Sequence, residues 1–282
     1  MTFTSQERPK EETSPVSLGE SNHPAPPEEL PQRFSVRLPQ REPYIVYSIL
    51  GLTIFIYIVQ TLTAQGFLNV GSLMCPYFFS PDLPACYGLK VNELIISGQY
   101  WRLISPILLH GSLLHVGFNM YALYALGPEL ERHFGHWQFF LLYLTSGFAG
   151  FVASFLLTPS PALGASTAIF GLLAAQGVFI YRNQRIFGPR AKAVLRNLIS
   201  LAAINLMIGL SPGIDNWGHV GGLLGGLLFT WIAAPVYRVA GDGPEYELEN
   251  QRGVSATVLA ALVTTGLFAI LAAVPIVRLA LA

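Results

Sequence analysis

The chain has 282 residues, of which 52% are hydrophobic and 11% charged, and its sixteen basic and sixteen acidic side chains leave zero net charge. Soluble domains carry about a quarter charged residues, so this composition argues against a soluble globular protein and for a membrane protein with several spans. A neutral chain has no electrostatic basis for binding nucleic acid. Two cysteines, Cys75 and Cys86, are too few for a disulfide framework or a cysteine-based metal site.

Residues 1–42 are rich in Pro, Glu and Ser, with scattered apolar residues. Such a segment cannot bury enough surface to order itself, so a disordered tail is expected. It has no apolar central run, which argues against a signal peptide. Its seven acidic residues (Glu7, Glu11, Glu12, Glu20, Glu28, Glu29 and Glu42) argue against an organelle transit peptide.

A bilayer core takes about 20 apolar residues per helix. Seven segments qualify: 44–63, 103–127, 137–157, 163–181, 193–210, 217–235 and 254–277. The fold class is therefore all-α, a polytopic bundle with a six-helix core over 43–237, a linker over 238–253 and a seventh span within 254–282. The fifth segment contains Arg196, which can snorkel from a helix end. Basic residues concentrate in cytoplasmic segments. With the N-terminus inside, thirteen of the sixteen fall inside and only Lys90, Arg102 and Arg278 outside. This predicts a cytoplasmic N-terminus, an external C-terminus and an external loop over 64–102. Cys75 and Cys86 lie in that loop, where they can pair as a disulfide on an oxidising side; the alternative is two free thiols.

The chemistry-bearing residues occupy spans two, four and six. Span two, LISPILLHGSLLHVGFNMYALYALG, holds His110, His115 and Asn119 in an apolar helix. Polar groups within a span are costly and usually face a protein interior or a wet cavity. His115 and Asn119, four residues apart, share a face, and His110 is rotated away from them. Span four opens with LGASTAIFG, a Gly-x-Ser pattern around Ser166; Ala168 stands where a soluble nucleophile elbow has its second Gly. Span six opens with DNWGHVGGLLGG, in which His219 precedes two overlapping Gly-xxx-Gly pairs, Gly221/Gly225 and Gly222/Gly226. Small residues at this spacing let membrane helices approach closely. If spans four and six pack together, Ser166 and His219 meet at similar shallow depth as a nucleophile and its base. Each feature alone has a plainer reading: a back-bonding serine, a packing histidine, a helix-packing glycine motif.

Taken together, Trp101-Arg102, HGSLLHVGFN, GASTAIFG and GHVGGLLGG resemble the rhomboid family of intramembrane serine proteases over roughly residues 44–235. The resemblance implies catalytic Ser166 and His219, with Asn119, His115 and the Ser166 backbone N–H stabilising the oxyanion. It implies structural support from His110, Trp101, Arg102, Gly164, Phe170 and Gly222. Phe170 stands where some bacterial members carry a tyrosine, keeping the ring without the hydroxyl. Asp215 is expected to cap span six or to face water in the short external loop, and not to join a triad. No metal and no cofactor are expected; the implied partners are transmembrane protein substrates and the lipid bilayer, in a bacterial plasma membrane. Span five, short and followed by SPGIDN, is the expected gate for substrate. The alternatives are a catalytically weak relative that binds membrane proteins for quality control, a transporter, or a metalloenzyme using His110, His115 and His219. A transporter would be expected to show internal repeats, which are not apparent; a metal site would lack a carboxylate or Cys ligand near those histidines.

Overall fold

The computed structural model describes residues 36–37, 41–67, 82–240 and 246–280. Most of the 1–42 tail and Cys75 lie outside these residues. The elements are β1 (Val36–Arg37), α1 (Tyr44–Ala64), α2 (Leu83–Gly88), α3 (Asn92–Ile96), two 3₁₀ turns (Tyr100–Leu103 and Ser105–Leu108), α4 (Leu113–Phe134), α5 (His136–Leu157), α6 (Ser166–Arg182), α7 (Gln184–Phe187), α8 (Arg190–Ile208), α9 (Asn216–Ala233), β2 (Tyr237–Ala240), β3 (Tyr246–Asn250) and α10 (Val254–Ala280).

The seven expected segments overlap α1, α4, α5, α6, α8, α9 and α10. Among the described residues, four helices are long and apolar enough to cross a membrane by length and composition: Tyr44–Ala64, His136–Leu157, Arg190–Ile208 and Val254–Arg278. The main correction concerns span two. Its helix starts at Leu113, not Leu103, and runs on to Phe134. Pro106 disfavours helix in the residue before it and cannot donate its own N–H. Ser112 then supplies an N-cap, its hydroxyl accepting the His115 N–H at 3.2 Å. His110 consequently lies ahead of the helix, in the connecting loop.

The centre of the bundle is α5, α6 and α9. The two glycine pairs of α9 serve two neighbours. A Cβ at Gly222 or Gly226 would collide with the backbone of Thr167 or Gly171 in α6. One at Gly221 or Gly225 would collide with Ala153 or Ala149 in α5. Outside this centre, α10 packs on α5, where Phe268 and Ala272 join Ala149, Val152 and Phe155 in one buried cluster. Helix α1 is pinned to α4 by Glu131, fully buried, whose carboxylate accepts the Ile45 and Val46 N–H groups at 2.9 and 2.8 Å. An anion there complements the free N–H groups and dipole of a helix N-terminus.

The expected 238–253 linker contains structure: β2 and β3 pair antiparallel, and β1 pairs parallel with β3, giving the order β1-β3-β2. The segments before α1 and after α9 therefore meet at one end of the bundle. The loops before α4, α6 and α9 meet at the other.

Candidate active site

Gly164 has φ +128°, a backbone region that favours glycine, and it immediately precedes the turn into α6. A Cβ there would sit 2.8 Å from His115 Nε2 and 3.6 Å from Ser166 Oγ. The missing side chain thus lets the His115 ring lie beside Ser166. Helix α6 begins at Ser166 itself. Helix α9 begins at Asn216, with Asp215 as N-cap: its Oδ1 accepts the Gly218 N–H at 3.2 Å and the Thr158 hydroxyl at 2.9 Å. These two helix starts face each other because Gly222 and Gly226 let α9 approach the backbone of α6 closely. The result is a Ser166 Oγ to His219 Nε2 distance of 2.9 Å. The Phe170 ring stacks on His219 at 4.5 Å and 16°, fixing the imidazole plane.

His219 Nδ1 and Asp215 Oδ2 are both buried without a hydrogen-bond partner among the described residues. The Asp215 carboxylate thus acts on α9 and on Thr158, as a cap does. Asn119 is buried and one of its amide N–H groups donates to His115 O at 3.0 Å, leaving the second for a partner. His115, Asn119, Ser166 and His219 all line one cavity of about 780 Å³. Most of its lining comes from α4, α6 and α8, with Phe151 of α5 and with Gly209, Gly213, Ile214 and Asp215 from the segment before α9. Helix α8 is the loosest wall: of its 19 residues only Ala191 is buried.

The supporting residues act through the loops. Trp101 Nε1 donates to Tyr87 O at 2.9 Å. Arg102, buried, donates to Leu89 O and Cys86 O, each at 2.7 Å, and to Gln99 Oε1 at 2.8 Å. His110 Nε2 accepts the Ala165 N–H at 3.4 Å, and its ring meets His115 edge-on at 5.0 Å. It therefore touches the turn that presents Ser166, and its backbone N–H reaches Gln60 of α1.

Other positioning groups were not singled out from sequence. Gln60, buried in α1, accepts the His110 N–H at 3.0 Å and donates to Asp82 at 2.9 Å. Lys90, fully buried, donates to Thr158 O at 2.6 Å and Ser160 O at 3.0 Å, while its backbone bridges Ala162. Asn92 also donates to Thr158 O, at 3.2 Å. Thr158 thus joins three loops, one leading to Ser166 and one to His219. A polar residue late in an apolar span was the available signal for Gln60; nothing in the sequence marks Thr158.

Burial pushes the Lys90 ammonium down to about 8, against the opposing pull of Asp215 and Glu93.

A family model for the rhomboid domain matches residues 97–236. The chain is 36% identical over 186 residues to the rhomboid protease GluP of Bacillus subtilis (strain 168), covering 66% of this chain and 34% of that protein. It is 31% identical over 165 residues to the chloroplastic RHOMBOID-like protein 9 of Arabidopsis thaliana, covering 58% and 38%. It is 38% identical over 146 residues to RHOMBOID-like protein 4 of the same plant, covering 51% and 37%. In each case the match spans little more than a third of the relative's length.

Proposed function

The chain belongs to the rhomboid family, and from that premise we propose that this integral membrane protein is a serine endopeptidase that cuts transmembrane segments near the outer interface. The observation that carries the reading is the 2.9 Å contact between Ser166 Oγ and His219 Nε2 at the edge of a cavity. Ser166 Oγ attacks the scissile carbonyl carbon as His219 Nε2 takes the hydroxyl proton. The carbonyl oxygen becomes an oxyanion, met by the second Asn119 N–H, the His115 ring and the Ser166 N–H. His219 returns the proton to the departing amine, and the acyl-enzyme forms. Water then attacks the ester by the same proton path, freeing the acid and Ser166. No acidic third member takes part; Asp215 holds the start of α9, and with it His219.

Water reaches the site because Ser166 and His219 lie at helix starts at one end of the bundle. The substrate segment must be unwound there, since a helical peptide bond is shielded by its own hydrogen bonds. A non-catalytic membrane-protein binder would use the same cavity but has no need for the Ser–His contact. The test is cleavage of a model transmembrane substrate in liposomes, with fluorophosphonate labelling alongside. Ser166→Ala and His219→Ala each abolish cleavage, and the double variant is little worse than either. Asn119→Ala lowers turnover by about 10²–10³. Near-full activity in Ser166→Ala or in His219→Ala would overturn the assignment.

A further inference from the structure

In its last eight residues, LAAINLMI at 201–208, helix α8 carries one polar side chain, Asn205. A carboxamide facing lipid there would be costly. It does not face away from the site: Leu201, Asn205 and Ile208, spaced i, i+4 and i+7 on one helical face, line the cavity that holds Ser166 and His219. Asn205 is exposed in that cavity, and its Nδ2 donates to Leu201 O at 2.8 Å. A carboxamide has two N–H donors and an acceptor oxygen, so one N–H and Oδ1 remain available.

We propose that Asn205 is a substrate-binding residue, pairing with the main chain of the unwound segment across the cavity from Ser166; this rests on the protease reading. An extended peptide in this cavity has lost its intrahelical partners. Each buried N–H or C=O left unpaired is unfavourable. The α4 and α6 walls offer His115, Asn119, Ser166 and Thr167 around the scissile bond. The α8 wall is otherwise apolar, and Asn205 alone among its lining side chains can donate and accept. It therefore fixes the register of the chain on the side remote from the nucleophile and favours segments that unwind readily.

The experiment uses the full chain in liposomes and a synthetic transmembrane substrate. A companion series replaces one backbone amide at a time near the cleavage site by an ester, which removes an N–H donor. Wild type, Asn205→Leu and Asn205→Ser are compared for kcat, KM and fluorophosphonate labelling of Ser166. Asn205→Leu is expected to lose about tenfold in kcat/KM, the value of one hydrogen bond, with labelling unchanged. One ester position should impair cleavage by wild type and have no further effect on Asn205→Leu. Wild-type kcat/KM in Asn205→Leu, or equal ester sensitivity at every position, overturns the proposal. If Asn205→Leu fails to label, the ester series on Asn205→Ser decides by the same criterion. Wild-type protein that neither labels nor cleaves would overturn the protease reading instead.

Discussion

Lys90 shows how a single buried charge ties the periphery of the site to its centre. Its ammonium reaches two carbonyls of the loop that leads to Ser166. The fold lowers its pKa from 10.5 to about 8. Between these two values the unfolded chain holds a proton that the folded chain has released. Folding stability from this group therefore rises with pH across that window; below pH 8 both states are protonated and the buried charge opposes folding throughout. The expected outcome is that wild type gains thermal stability relative to Lys90→Met as pH goes from 8 to 10.5. Melting curves of the two proteins in one detergent measure this, and a constant difference would refute it. Lys90 carried no recognisable motif. Ser166 and His219 did, because their neighbours in sequence are constrained by close packing.

Helices α6 and α9 hold the Ser–His contact by having almost nothing between them. A methyl group at Gly222 would be driven into the Thr167 carbonyl, one residue from Ser166. Overpacking of this kind typically costs about 1–3 kcal/mol, and here the helices must separate along the line that joins the reactive atoms. Gly222→Ala is expected to lower the melting temperature and to abolish cleavage. Gly177→Ala, in the same helix α6 as Ser166 with nothing within 4 Å of the added atom, should keep activity and gain slightly in helix propensity. Equal activities for the two variants would contradict this account. Truncating apolar side chains at the outer end of α8 tests whether this helix is the gate. Leu210 lies beyond the helix end and is 78% exposed, so truncating it removes little packing. Leu206, half-buried, is the more informative position.

The bundle has two distinct ends. One carries the β1-β3-β2 sheet and Glu131; the other carries Lys90, Thr158, Asp215 and the Ser166–His219 pair. We propose, from the distribution of basic residues, that the sheet end is cytoplasmic. On that proposal the segment with Cys75 and Cys86 is external, where an oxidising compartment would allow the two to pair. Intact cells treated with a membrane-impermeant thiol reagent should show no labelling before reduction and labelling of both cysteines after an impermeant reductant. Labelling without reduction would remove the disulfide; labelling only after lysis would reverse the orientation.

Composition and periodicity were sufficient for the membrane class and the approximate helices, and the motifs around Ser166 and His219 singled out two residues that the fold brings to 2.9 Å. Burial in lipid demands long apolar runs, and close helix contact demands small residues at four-residue spacing, so both leave a local record. The start of α4 was misplaced by ten residues because apolar 3₁₀ turns read like helix until Pro106 and Ser112 are weighed. The division of the two glycine pairs between α5 and α6, the junction at Thr158 and the aim of Asn205 into the cavity were not legible at all. They depend on which helix faces which, and on bonds such as Lys90 to Thr158 that join residues far apart in the chain, and only the packed bundle decides those.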